Sequence, residues 1–200
     1  VSKKRNIIAV GGGEIGRPGT KIETLTIDKN IISLSDKATP NVLFISTASS
    51  DSQGYIDVVE NYFGKKLKCA VRSLRLLNAL SKAEVEKQIT WADIIYVGGG
   101  NTLKMMTLWR KLGVDKLLIS AANKGTVLSG VSAGAICWFR YGNSDSRKFT
   151  SNSSQLIRVS GLRMVDLLFC PHYDVETSRQ KDLKRMMKNT PGVAVACENC

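Results

Sequence analysis

The sequence predicts an α/β protein built on a doubly wound, mostly parallel sheet. Two observations carry this. Short apolar runs without polar alternation recur along the chain, as expected of strands covered on both faces. Between them lie stretches whose apolar residues repeat at three and four, the strand–helix–strand order of such folds. Candidate strands cover residues 6–10, 42–46, 70–72, 93–97, 126–129, 167–170 and 193–196. Tyr55, Val58, Val59, Tyr62 and Phe63 mark one helix, and Leu103, Met105, Met106 and Trp109 a second. Leu117, Leu118 and Ala121 follow the Gly113 break, and Leu183, Met186 and Met187 line one side of residues 176–188. Residues 141–154 are polar and rich in Ser, which predicts a loop or lid, and 155–163 read as a short hairpin or edge strand.

Composition narrows the functional classes. The chain has 200 residues, 43% hydrophobic and 23% charged, with 17 Gly and 4 Pro, which excludes collagen-like, low-complexity and coiled-coil classes. The length predicts one domain over residues 1–200. No apolar run reaches the roughly 18 residues of a membrane span, and the N-terminal apolar run is too short for a signal peptide. A cytoplasmic chain is the expectation. It begins with Val and ends just after a strand-like run, so a longer natural chain is expected.

The net charge of +12 is spread along the chain, with clusters at Ser2 to Arg5, Lys65 to Lys68 and Arg179 to Lys188. No aromatic platform interleaves with them, so no nucleic-acid partner is expected. Five cysteines at irregular spacing, Cys69, Cys137, Cys170, Cys197 and Cys200, fit a reduced chain. A lone C-x-x-C and a single histidine give no metal site.

The strongest motif is Gly130-Val131-Ser132-Ala133-Gly134. It follows a predicted strand and precedes a predicted helix over 133–139, the context of a nucleophile elbow. There a sharp turn presents the serine hydroxyl at the sheet's carboxyl edge, with the N–H of Ala133 as an oxyanion donor. The competing reading is a glycine-rich turn with Ser132 as a helix cap. Gly98-Gly99-Gly100-Asn101-Thr102 ends another strand, so the Gly100 N–H is the second donor candidate, while Asn101 or Thr102 equally suits a helix cap. Gly11, Gly13 and Gly16 form a G-x-G-x-x-G. Arg17-Pro18-Gly19 interrupts the helix a dinucleotide site needs, and no acidic residue ends the next strand, so no cofactor is expected. His172, the sole histidine, follows a strand and is the only imidazole available as a base. A carboxylate should orient it; Glu198, Asp145 and Asp174 are the candidates.

The first-strand glycines, the Gly98 to Thr102 turn, the Ser132 elbow and Pro171-His172-Tyr173 together resemble the peptidase E family of serine peptidases. That family includes aspartyl dipeptidases and cyanophycinases. The resemblance implies a class I glutamine-amidotransferase-like, flavodoxin-like three-layer fold. It implies Ser132 as nucleophile, His172 as base, and Gly100 and Ala133 as the oxyanion hole. It favours Glu198 as the third member, with Asp145 as the alternative acid. Asn101 and Arg179 are the implied substrate-binding candidates, and the substrate is a small peptide, with N-terminal Asp as one form. A monomer or homodimer is expected. Two rival readings are an esterase and a non-catalytic small-molecule binder on the same fold.

Overall fold

The computed structural model describes residues 4–188 and 191–200; of the first basic cluster, Ser2 and Lys3 lie outside these. Five strands form a parallel sheet: β1 (Ile7–Val10), β2 (Asn41–Ile45), β3 (Ala70–Leu74), β4 (Ile94–Val97) and β5 (Val127–Val131). Their order is β1-β5-β4-β2-β3. Successive side chains of one strand point to opposite faces, and both faces are covered. Val42, Phe44, Ile94 and Tyr96 pack on one side with Ile31, Ile56 and Phe63. Leu43, Ile45, Ile95 and Val97 pack on the other with Val85, Met105, Trp109 and Leu118.

The first helical layer is α1 (Leu25–Ser33) and α2 (Gln53–Val59), which continues as a π-helical stretch, Glu60–Lys66. The second is α3 (Lys82–Trp91), α4 (Thr102–Leu112) and α5 (Val114–Lys124). α3 starts with a capping box, in which Ser81 and Glu84 satisfy each other's backbone N–H. The architecture is the class I glutamine-amidotransferase-like three-layer fold.

A second sheet follows α6 (Ala133–Ile136), a single turn rather than the longer helix expected. Its strands are β6 (Phe139–Ser144), β7 (Ile157–Ser160), β8 (Val165–Cys170) and β9 (Ala194–Ala196), in the order β7-β6-β8-β9. β7 is antiparallel to β6 and β8 is parallel to it. Thus the start of the segment expected to be a loop is strand, and only α7 (Ser146–Ser151) follows it before β7. The polar residues there are buried and partnered. Asn143 bonds Asp182 and Arg179, and Ser144 bonds Thr102 and Ser146. α8 (Thr177–Lys188) packs Leu183 against Leu168 and Cys170.

Candidate active site

The carboxyl ends of β1, β4 and β5 meet the turns after β8 and β9. Between β5 and α6, Ser132 has φ 54° and ψ −111°. This is strained backbone for a residue with a Cβ. Its N–H donates to Val10 O at 3.0 Å, which ties the turn to β1. The flanking glycines are sterically required. A Cβ on Gly130 would lie 2.4 Å from Gly134 O, and one on Gly134 would lie 2.0 Å from Val97 O.

Ser132 Oγ is 2.9 Å from His172 Nε2, and His172 Nδ1 is 2.7 Å from Asn199 Oδ1. An amide oxygen only accepts, so Nδ1 carries the ring proton and Nε2 is left to accept from the serine hydroxyl. His172 itself has φ 53°. Its turn is held by Tyr173 N–H donating to Cys197 O at 3.0 Å. Asn199 is fixed by its own N–H, which donates to Asp174 Oδ1 at 2.9 Å. That N–H, with a smaller contribution from the His172 charge, holds the Asp174 carboxyl below its usual range.

The ring's other nitrogen therefore meets Asn199, not a carboxylate. Glu198 is exposed, and among the described residues its carboxylate has no partner. Alternation of the extended chain after β9 is the reason. Cys197 and Asn199 face the Gly11-Gly12 turn: a Cβ on Gly11 would sit 2.9 Å from Cys197 Cβ, and one on Gly12 2.0 Å from Asn199 Oδ1. Glu198, between them, points away. Asp145 lies 3.9 Å from the Arg179 guanidinium.

Arg179 differs most from expectation. It is 2% exposed, and its guanidinium donates to Glu176 Oε2 at 2.6 Å and to Asn143 O at 2.8 Å. It ties α8 to β6 and is spent on the protein's own acceptors, so it does not face the site as a substrate reader. Asn101 caps α4. Its Oδ1 accepts from Lys104 N–H at 2.9 Å and its Nδ2 donates to Ser146 O at 3.3 Å. Its side chain is thus committed to structure as well.

Gly100 has φ 136°, and a Cβ there would lie 2.2 Å from Ala48 O. Among the described residues, the N–H groups of Gly100 and Ala133 have no acceptor. The first-strand glycines form the facing edge. A Cβ on Gly12 would lie 2.4 Å from His172 Nδ1.

Gly12, Gly100, Ser132, His172 and Asn199 border a cavity of about 1090 Å³, lined also by Tyr55, Lys104 and Phe149. Sequence reasoning missed Asn199 and Lys104 as site residues; it places the first-strand glycine turn at this edge. Asn199 had one signal, its place one residue past the acid singled out. Among the described residues no group of three or more His, Cys, Asp or Glu is placed to hold a metal. No helix there is long and apolar enough to cross a membrane.

A strained serine stands beside the sole imidazole at the carboxyl edge of a class I glutamine-amidotransferase-like sheet, in the strand–turn–helix geometry that the glycine-flanked motif predicts. The chain belongs to peptidase family S51, whose family model matches residues 7–199. It is 36% identical over 185 residues to the uncharacterized peptidase YgaJ of Bacillus subtilis (strain 168), covering 92% of this chain and 76% of YgaJ. It is 31% identical over 142 residues to the uncharacterized peptidase Lmo0363 of Listeria monocytogenes serovar 1/2a, covering 66% of this chain and 65% of that protein. Among solved structures, a peptidase from an acI-B1 Actinobacterium superposes with a TM-score of 0.72 at 17% identity, covering 98% of this chain and 81% of the other. The structural likeness carries the fold, and the sequence match carries the family.

Proposed function

We propose that the chain is a serine peptidase that hydrolyses the amide bond of small peptides through an acyl-enzyme. The observation that carries this is the 2.9 Å contact between Ser132 Oγ and His172 Nε2 at the edge of an open cavity. His172 accepts the serine proton as Ser132 Oγ attacks the carbonyl carbon. The Gly100 and Ala133 N–H groups hold the oxyanion that forms. His172 Nε2–H then protonates the leaving amine, and water attacks the acyl-enzyme by the same route in reverse. In this reading Asn199 orients the ring. It cannot offset the imidazolium's charge as a carboxylate does; Asp174, which accepts from the Asn199 backbone N–H and feels the His172 charge, supplies a negative charge nearby. Glu198 and Asp145 have no direct part.

Dipeptides are the favoured substrate size, and N-terminal Asp is one candidate specificity. The protein acts as one domain over 1–200, as a monomer or homodimer, and its five free cysteines support the cytoplasm as its location.

The test is Ser132→Ala. Alanine keeps the same strained φ, so the melting temperature should stay close to that of the wild type. Hydrolysis of a dipeptide panel should fall by on the order of 10⁴-fold or more, with loss of fluorophosphonate labelling. Undiminished hydrolysis by the variant would refute the assignment.

A further inference from the structure

The cavity beside Ser132 is lined by four formally charged side chains: Glu14, Arg17, Glu23 and Lys104. Two of these cancel. Arg17 Nε donates to Glu14 Oε2 at 2.8 Å, and a second guanidinium nitrogen meets Glu14 Oε1. Glu23 is partly engaged, since its Oε2 accepts from Glu14 N–H at 2.9 Å. Lys104 is different. Its Nζ donates to Ser50 Oγ at 2.9 Å, and among the described residues it has no carboxylate within ion-pair distance.

Lys104 is also well placed. Its backbone N–H is fixed by the Asn101 cap in the first turn of α4, four residues past Gly100. Asn101 N–H donates to Ala48 O at 2.8 Å, so the 48–50 and 100–104 segments form one wall. Ser50, which holds the ammonium, has φ 58° and belongs to that wall. The wall therefore presents the Gly100 N–H and an uncompensated cation to the same space. A neutral hydroxyl positions an ammonium without neutralising it, leaving two of its N–H donors for an anion.

We propose that Lys104 is the carboxylate-binding residue of this cavity, so that the preferred substrates are peptides carrying a carboxylate that reaches the first turn of α4. This rests on the peptidase reading above. The carboxylate is either an acidic side chain or a free C-terminus. Both offer the same chemistry, and the test separates them.

Four dipeptides serve as probes: Asp-Leu, Asn-Leu and the C-terminal amide of each. The readout is selectivity within each protein, the ratio of kcat/KM for the acid to that for its neutral isostere. Wild type should prefer one acid over its isostere by about fivefold to tenfold, the size of a partly solvated charge-assisted contact. Preference for Asp over Asn assigns the side chain; preference for free acid over amide assigns the terminus. The ratio should fall to near one in Lys104→Met, persist in Lys104→Arg and invert in Lys104→Glu. It should also shrink as ionic strength rises. An equal ratio in wild type and Lys104→Met overturns the proposal.

A protein that neither cleaves these dipeptides nor takes up a fluorophosphonate would fail the peptidase reading, not this one. Calorimetric binding of the same four dipeptides to Ser132→Ala, with and without Lys104→Met, then decides it. There the acid should bind more tightly than its isostere only where Lys104 is present. Equal affinities, or no binding of any probe at millimolar concentration, overturn it.

Discussion

Gly12 has no side chain because the site leaves no room for one. Its missing Cβ would fall 2.0 Å from Asn199 Oδ1 and 2.4 Å from His172 Nδ1. Those two atoms share the hydrogen bond that sets the tautomer, so the glycine is part of what places the ring. Gly12→Ala should push the ring off Ser132. A misplacement of about 1 Å in a reacting group costs roughly 100-fold, and that is the loss expected in kcat/KM and in the rate of fluorophosphonate labelling. Unchanged labelling by the variant would show that the contact is not limiting. The residue scale also explains the third position. An acid at 198 and an amide at 199 are neighbours in sequence, yet strand alternation gives the ring to the amide.

At the scale of elements, the sheet's first helical layer is pinned by a buried acid. Asp28 of α1 is fully buried, and its Oδ2 accepts from Thr24 Oγ1 at 2.6 Å and from Tyr62 OH at 2.8 Å. Among the described residues its Oδ1 has no hydrogen-bond partner. Burial pushes the Asp28 carboxyl up, and the two donors only partly offset this. The folded state thus binds a proton more tightly than the unfolded chain does. The stability it contributes is present in full below the usual aspartate value of about 3.9 and is lost as pH rises through the higher folded value. Asp28→Asn can still accept both hydrogen bonds and removes the titration. Thermal unfolding across pH 4 to 8 should show the variant gaining on wild type as pH rises; a difference independent of pH would contradict the linkage. Arg179 plays the corresponding part in the second sheet, where its bond to Asn143 joins α8 to β6.

For the whole molecule, charge is the dominant feature. An excess of 12 positive charges makes the compact state repel itself. Raising ionic strength from about 0.01 to 0.15 M shortens the Debye length from about 30 to 8 Å. The melting temperature should therefore rise with added sodium chloride over that range, and a fall would mean that the surface ion pairs outweigh the repulsion. The same screening weakens attraction of an anionic peptide to the Lys104 wall, so stability and substrate capture should move in opposite directions with salt.

The sequence by itself determined the central sheet, because strands buried on both faces must be continuously apolar, as Ile94–Val97 is. It determined the elbow too, since only small residues let the chain reverse around Ser132 against Val97 O. It did not reveal that residues 139–144 form a strand. The polar side chains of Asn143 and Ser144 find partners only when Arg179, Thr102 and Asp182, distant in sequence, arrive beside them. Nor did it decide which side chain meets His172 Nδ1, or that Arg179 is buried and Lys104 open to the cavity. Local pattern encodes which residues avoid water. Which polar group faces which partner depends on the register of distant segments, and only the folded chain fixes that.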